Sequence, residues 1–201
     1  MKKIVMLSLI ALLFAGFLVN TTNVKAISSG DGTNSLSPLY AKPGDIILTK
    51  GSIFDLLVPG YWTHAEMYIG YQYRYDPARG YWHWDYYVVH SNKQGVHYST
   101  WADAVWSADE AAIIRVATSD YIRSLAVSFA ESKVGYPYDY WWLSKQVLGS
   151  SYYCSELVWA AYKYYGIDID ANPGWSWTYA NGVAPQELYD DGDTYLIAYS
   201  D

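Results

Sequence analysis

Cysteine is almost absent from this sequence, because Cys154 is the single one among 201 residues. A fold held together by intrachain disulfides is therefore excluded, and so is a structural zinc site built from several thiolates. Charged residues are also scarce, at 16% of the chain, and acidic residues outnumber basic ones by 20 to 13. The resulting net charge of −7 argues against nucleic acid as a partner.

Long hydrophobic stretches are equally rare, and the extended one lies near the start, from Ile4 to Val19. It follows two lysines and precedes Val24-Lys25-Ala26, which has the small-residue pattern of a cleavage site. We interpret residues 1–26 as a secretory signal peptide. A retained membrane anchor is the alternative, but the run of about 16 residues is shorter than the ~20 that span a bilayer. We therefore expect an extracytoplasmic protein without stable membrane insertion after cleavage, with a flexible lead-in over residues 27–41.

Aromatic residues, by contrast, are abundant, with 23 Tyr, 10 Trp and 4 Phe. A chain this rich in large apolar side chains can bury a core, so intrinsic disorder is excluded. Aromatic faces also suit peptide and glycan ligands. We nevertheless expect most of these residues to serve the core and the strand surfaces.

The apolar periodicity indicates several strands, then helices, then a last strand. Between Thr63 and Ile69 the residues alternate, so His64, Glu66 and Tyr68 share one face of a half-buried strand. The overall order predicts an α+β domain. The other predicted elements are strands at Ile46–Thr49, Tyr81–His90, Gly95–Tyr98, Ala112–Val116 and Thr194–Ala198, a turn-rich region at Gly70–Gly80, a helical turn at Thr100–Ser107, and helices from Ser119 or Asp120 to Val134 and from Cys154 to Tyr165.

Cys154 lies at the predicted start of a helix. The partial positive charge and free amides of a helix N-terminus lower the pKa of a thiol and can hold a developing oxyanion. The alternative is a small, buried and inert side chain, which is the commonest fate of an unpaired cysteine. In a secreted chain with one cysteine, where structural cysteines normally pair, we favour a catalytic role.

All four histidines fall between positions 64 and 97. If the strands that carry His64 and His90 pair, both rings can converge on Cys154, as a cysteine hydrolase needs a base and a group that orients the base. The alternatives are incidental polar residues at a strand edge, or a metal site. No histidine pair has i,i+4 spacing and no HExxH motif occurs, so we expect no metal. His83 is interpreted as a surface residue, and His97 has no clear role.

Several short motifs, taken in their order along the chain, resemble one enzyme family. This is the circularly permuted branch of the NlpC-type, papain-like amidases, of the YiiX/YaeF kind, to which the lecithin retinol acyltransferase-like enzymes are related. As in that branch, the histidine precedes the cysteine, and the resemblance spans residues 42–198. The motifs that carry it are Gly44-Asp45-Ile46-Ile47, Thr63-His64, Val88-Val89-His90, Gly135-Tyr136-Pro137-Tyr138, Tyr153-Cys154-Ser155-Glu156-Leu157-Val158, Gly166-Ile167 and Val183-Ala184-Pro185.

The resemblance implies a role for each candidate site residue. Cys154 matches the nucleophile, His64 the general base and His90 the third, orienting residue. Tyr138 matches a tyrosine that lines the active site and helps the oxyanion, the alternative being one more core aromatic. Glu66 would face the same side as His64, where it could be another orienting group, a contact for a cationic substrate group, or a solvated edge residue. We prefer His90 as the orienting residue.

The resemblance also implies a function for residues 42–201, taken as a permuted papain-like catalytic domain with a central antiparallel sheet packed against helices. We expect a secreted cysteine amidase or peptidase that acts without a cofactor, through a thioester, on peptides and perhaps those of a cell wall. Two alternatives remain at this point. One is a lipid acyltransferase or thioesterase on the same fold, and the other is a non-catalytic, aromatic-rich module that binds a wall glycan.

Overall fold

The computed structural model describes residues 34–51, 58–76 and 79–201. The predicted signal peptide, residues 1–26, therefore lies outside the described residues. The described chain contains the strands β1 (Ile46–Lys50), β2 (His64–Asp76), β3 (Tyr81–Asn92), β4 (Gly95–Thr100), β5 (Glu110–Val116) and β6 (Thr194–Ser200). It also contains the helices α1 (Trp101–Ala104), α2 (Asp120–Ser132), α3 (Cys154–Lys163) and α4 (Pro185–Asp190), and a 3-10 turn at Pro38–Tyr40.

These strands form one antiparallel sheet in the order β4-β3-β2-β1-β5-β6. Together with the helices packed on it, the sheet confirms the predicted α+β class. The predicted strands and helices are present with shifted ends, whereas α4 was not predicted. Its six residues are too few to give a periodic apolar signal, although Pro185 at its first position is typical of a helix start.

The first half of β2, as far as Gly70, is covered on both faces rather than half-buried. Ala65 and Met67 pack toward α2 and α3, while Tyr68 on the other face packs against Trp101 of α1. The alternation was predicted correctly, but the face expected to meet solvent is also covered. Glu66 on that face is only 1% exposed, so the polar residues of β2 lie inside the protein.

The region predicted to be turn-rich, Gly70–Gly80, is mostly strand, since β2 extends to Asp76. A bulge between Tyr68 and Gly70 shifts the register, and alternating aromatic residues then pair across β2 and β3. The Tyr71 and Trp84 rings stack at 5.4 Å, and the Tyr73 and Trp82 rings at 5.6 Å. Cross-strand aromatic pairs of this kind stabilise the part of the hairpin that extends away from the hydrophobic core.

The second half of the predicted lead-in, residues 27–41, is packed instead of flexible. Leu36 is buried against α1, and its carbonyl accepts hydrogen bonds from the indoles of Trp101 and Trp106 at 3.0 and 2.8 Å. Asn34 donates to the carbonyls of Val105 and Ala108 at 2.8 and 2.7 Å. The polar composition of this segment did not reveal these contacts, because they are made with indole side chains and backbone carbonyls of residues 101–108, which are distant in the sequence. Residues 27–33 lie outside the described residues.

Asp45, at the start of β1, fixes β1 to β5. It is fully buried and accepts hydrogen bonds from Nε and a terminal nitrogen of Arg115, both at 2.7 Å. The Lys42 amide donates to the same carboxylate at 2.7 Å. A bidentate arginine pair of this kind is strong and directional, so the Gly44-Asp45 motif serves the architecture of the sheet.

Gly95 brings the β3–β4 turn against the segment that leads to α3. Its φ of +87° suits glycine, and a Cβ there would lie 2.3 Å from the carbonyl oxygen of Tyr136. Next to it, the Val96 amide donates to that oxygen at 2.8 Å, and the Gly135 amide donates to the Val96 carbonyl at 2.8 Å. This contact places the histidines of β3 and β4 close to the chain that carries Cys154.

Candidate active site

The first turn of α3 is held firmly in place. The Glu156 carboxylate accepts from the amides of Gln146 and Tyr153 at 2.7 and 3.2 Å, as a residue at the third position of a helix does in a capping interaction. Ser155 Oγ donates to the Val183 carbonyl at 2.7 Å. Cys154, the first residue of the helix, is 7% exposed. These bonds fix the thiol at the base of a cavity.

The cavity beside the thiol has a volume of about 270 Å³, and we call it the thiol cavity. Cys154 and His64 both line it, and its walls are mainly apolar and include five Tyr or Trp side chains. Tyr138 is among the lining residues, and burial together with the nearby Cys154 raises the pKa of its phenol. The other lining residues are Val58, Pro59, Thr63, Ser91, Asn92, Lys93, Tyr140, Trp142, Tyr153, Ser155, Tyr179, Val183, Ala184 and Pro185.

The thiol differs from the expectation of a lowered pKa. Burial raises the pKa of Cys154, and hydrogen bonds from backbone groups, that of Ala65 first among them, act in the other direction without reversing it. The side-chain hydrogen bond of Sγ runs to Ser155 Oγ at 4.0 Å. The helix N-terminus is where it was predicted, but the desolvation of a nearly closed site has the larger effect on the thiol. The resting thiol is protonated, and attack requires a base.

The rings of His64 and His90 contact each other, whereas the prediction was that both rings would converge on Cys154. His64 Nε2 lies 2.9 Å from His90 Nδ1, and the two rings are edge-to-face. His90 lines a second cavity, which shares Thr63, His64, Asn92 and Lys93 with the thiol cavity. The two rings therefore do not both contact the thiol. His90 contacts His64, and His64 lines the same cavity as Cys154.

His97, to which the amino-acid sequence assigned no clear role, adds a third ring to this series of contacts. It is paired directly with His90 across β3 and β4, and the Nε2 atoms of the two rings are 3.2 Å apart. Ser99 Oγ also lies 2.9 Å from His90 Nε2. A signal was present in the sequence, because a two-residue turn between Asn92 and Gly95 places positions 90 and 97 opposite each other.

The backbone sets the tautomer of His97, and the tautomers of the other two rings are inferred from it. Because the Gly95 carbonyl can only accept, His97 Nδ1, 2.9 Å away, must donate to it. With that proton on Nδ1, His97 offers Nε2 as an acceptor, and we infer that His90 donates from Nε2, where Ser99 Oγ can also accept, and accepts at Nδ1. The same inference makes His64 donate from Nε2 to His90 and leaves its Nδ1 without a proton. We call this series, His97–His90–His64, the imidazole chain.

Burial keeps the inner two rings of the imidazole chain uncharged. It lowers the pKa of His64 to about 4 and the pKa of His90 well below its ordinary value, with neighbouring imidazoles contributing to both shifts. Both rings are therefore neutral at pH 7. An unprotonated Nδ1 of His64 can accept a proton, and His64 lines the same cavity as the thiol.

Glu66 is buried between the two inner rings without making a hydrogen bond to either. Its Oε1 lies 3.5 Å from His64 Nε2 and 3.5 Å from His90 Nδ1, and its Oε2 has no hydrogen-bond partner. Burial raises its pKa to about 8. With 1% exposure, Glu66 is not a solvated edge residue. His90 is the closer partner of His64, as preferred from the sequence.

The same three side chains are able to hold a metal ion. Within the described residues, His64, Glu66 and His90 form the one group of three whose donor atoms come together, all within 4.8 Å. Two imidazole nitrogens and a carboxylate oxygen are ligands that suit zinc and related divalent ions. This capacity arises from the same close packing that aligns the imidazole chain.

Glu66→Gln is expected to stabilise the protein at alkaline pH. The folded pKa of about 8 lies above the ordinary 4.5, so the folded state holds an extra proton between these values and wild-type stability falls as pH rises through that window. Glutamine has no such proton to lose, and its advantage at pH 9 should be on the order of 3 kcal/mol. Urea unfolding at pH 5 and pH 9 measures it, and parallel pH slopes for the two proteins would contradict the expectation.

The comparisons with known proteins agree with this geometry. A family model described as a permuted papain-like amidase enzyme, YaeF/YiiX, C92 family, matches residues 40–198. A search of the curated proteins gives no match to the chain. None of the helices in the described ranges combines the length and hydropathy needed to cross a bilayer. The match covers most of the chain and includes both His64 and Cys154. The protein therefore belongs to the YaeF/YiiX family of permuted papain-like amidases.

Proposed function

We propose that the protein is an extracytoplasmic cysteine hydrolase that cleaves amide bonds of peptides through Cys154, His64 and His90. The observation that carries this proposal is the imidazole chain, which ends in an unprotonated nitrogen of His64 at the cavity that also contains the thiol. A buried thiol with a raised pKa needs such a base. The predicted signal peptide supports an extracytoplasmic site of action.

The proposed reaction starts with a proton transfer from Cys154 to His64 Nδ1. As the proton leaves, Sγ attacks the carbonyl carbon, a C–S bond forms, and the carbonyl oxygen becomes an oxyanion. In this proposal, main-chain amides at the start of α3 and the Tyr138 hydroxyl, which lines the same cavity, donate hydrogen bonds to that oxyanion. The C–N bond then breaks, His64 gives its proton to the leaving amine, and a water molecule hydrolyses the thioester with His64 again as base.

In this scheme His90 orients the ring of His64 and stabilises its protonated form. By accepting from His64 Nε2, which lies 2.9 Å away, it would leave Nδ1 as the nitrogen of His64 that takes the thiol proton. It also stabilises the imidazolium that forms when His64 takes the proton, as the third member of a triad does. In turn, the bonds from His90 Nε2 to His97 and Ser99 hold the His90 ring in place.

The thiol cavity supports a peptide substrate with an anionic group. Its aromatic walls provide apolar contact for substrate side chains. Lys93 and Asn92 line the same cavity and supply a positive charge and hydrogen-bonding groups, which suit a carboxylate next to the scissile amide. Cell-wall peptides carry such carboxylates, and an extracytoplasmic enzyme would meet them, so we propose them as the substrate class.

Trapping of an acyl group on Cys154 tests the proposal. The purified protein is mixed with a cell-wall peptide digest and, in parallel, with lipid acyl esters, and the cysteine-containing peptide is examined by mass spectrometry. We expect a thioester adduct from the wall peptides in the wild type and none in Cys154→Ala. Adducts from the acyl esters alone would indicate an acyltransferase or thioesterase, and no adduct from either would indicate a binding module.

A further inference from the structure

The His64, Glu66 and His90 side chains form the wall of the second cavity, which has a volume of about 270 Å³. Thr49, Asn92 and Asp103 also line this cavity. His64 lines both cavities, whereas Glu66 and His90 line the second cavity and not the thiol cavity. The second cavity therefore gives an ion access to Glu66 and His90.

The three donor atoms match one face of a zinc tetrahedron. His64 Nε2 and His90 Nδ1 are 2.9 Å apart, and both are 3.5 Å from Glu66 Oε1. With ligand bonds of about 2.0–2.1 Å, a tetrahedral zinc ion separates its ligand atoms by roughly 3.3 Å. The observed spacings lie on both sides of that value, so small side-chain shifts would complete the three-ligand set. A water molecule from the second cavity would take the fourth position.

Glu66 is a buried group that the proposed reaction does not use. Its Oε2 has no hydrogen-bond partner, and its Oε1 lies 3.5 Å from a nitrogen of each ring. A buried carboxylate is unfavourable unless a positive charge accompanies it. A divalent ion would supply that charge.

The surroundings of His90 are those of a metal-binding histidine. When Nδ1 of such a ring binds an ion, the other nitrogen is normally held by a hydrogen bond, which fixes the tautomer. In this protein His90 Nε2 already has Ser99 Oγ at 2.9 Å and His97 Nε2 at 3.2 Å. The imidazole chain leaves His90 Nδ1 as an acceptor, so this ring could bind an ion without changing its tautomer.

We propose that His64 Nε2, His90 Nδ1 and the Glu66 carboxylate bind one divalent transition-metal ion, with Zn²⁺ the best fit, and that the bound ion silences the hydrolase. The ion replaces the hydrogen bond between the two rings. Glu66 binds as the carboxylate and gives up any proton it carries. The proton on His64 Nε2 moves to Nδ1, which then cannot accept the proton of Cys154. The silencing rests on the proposed function, whereas the binding does not.

Binding is measured first, without reference to activity. The full-length protein is freed of metal with a chelator and titrated with Zn²⁺ in competition with a chromophoric chelator. We expect one tight site per chain in the wild type. Glu66→Gln and His90→Ala should each weaken it by about 100-fold or more, since even the loss of a residue that only supports a ligand costs 10- to 100-fold. Glu66→Gln also keeps the shape of the side chain, and its thermal unfolding shows that it is folded.

Two further variants locate the ion. Cys154→Ala should bind Zn²⁺ as tightly as the wild type, because the thiol is not a ligand in this site. His83→Gln serves as the matched control, since His83 lies on the β2–β3 hairpin beside Asp76, outside the imidazole chain, and it should also bind normally. Loss of binding in Cys154→Ala would place the ion at the thiol, and full binding in Glu66→Gln would place it elsewhere; either result overturns the metal proposal.

Activity is measured last and separates the two proposals. With peptide turnover present in the metal-free enzyme, one equivalent of Zn²⁺ should suppress it and a chelator should restore it. Stoichiometric binding that leaves turnover unchanged would overturn the silencing. If the metal-free wild type has no hydrolase activity at all while the site binds Zn²⁺ as described, the proposed function fails and the metal site stands.

Discussion

Cys154→Ala is expected to lose peptide turnover by ~10⁴-fold or more, because the thiol is the one group that forms the covalent bond in the proposed reaction. The fold should survive. Cys154 is small and lines the thiol cavity, so its truncation removes one sulfur atom from the lining and should cost on the order of 1 kcal/mol. Steady-state kinetics on fluorogenic wall peptides, with a thermal unfolding curve for each protein, measure both effects.

The reactivity of the thiol provides an independent check. Because burial raises the pKa of Cys154, alkylation by iodoacetamide should be slow at pH 7 and should accelerate as pH rises, since the thiolate is the reacting form. Cys154→Ala should not be labelled at any pH, as the chain has no other cysteine. Turnover in Cys154→Ala within 10-fold of the wild type, at equal folding, would contradict a cysteine mechanism.

The sequence could place the candidate groups on their elements because those positions follow local rules. Alternation placed His64 and Glu66 on one face, and the polar residues before Cys154 indicated a helix start. Both assignments depend on neighbours in the chain, which a sequence displays directly. The family resemblance added that His64 and Cys154 belong to one site, although they lie far apart in the chain.

Burial was the property that the sequence did not reveal. Glu66 and His64 were placed on a polar face, yet that face is covered by α1, the turn after β3 and residues 34–41. The resulting desolvation raises the pKa of Cys154 and Glu66 and lowers that of His64. These are collective effects of distant elements, so the helix-start argument alone predicted the wrong direction for the thiol.

The part played by His97 was predictable in principle. Its pairing with His90 follows from the two-residue turn that joins β3 and β4. Its consequence, a fixed tautomer for three rings, depends further on the Gly95 carbonyl and on ring spacings of about one hydrogen bond. Such spacings depend on strand twist and packing, which no sequence pattern specifies.

His64→Ala is expected to lower kcat/KM by roughly 10³-fold, with a smaller loss at high pH. Removing the base takes away a contribution that is typically 10²- to 10⁴-fold. Raising the pH converts part of the thiol to thiolate without help, so the deficit should shrink as the solution becomes more alkaline. In the chelator-treated wild type, kcat/KM should fall on the acid side only near pH 4, because burial lowers the pKa of His64 to about 4.

Truncation along the imidazole chain should produce a graded series. His90→Ala removes the partner of His64 Nε2 and should cost less than His64→Ala, and His97→Ala, one ring further away, should cost less again. His83→Ala is the matched control, since its ring contacts Tyr87 and Asp76 and lies outside the chain, and it should leave kcat/KM unchanged. A His97→Ala enzyme that matches the wild type at every pH would show that the Gly95 carbonyl does not control the tautomer of His64. A loss in His97→Ala that His97→Asn partly restores would instead show that the hydrogen bond, rather than the volume of the ring, transmits the effect.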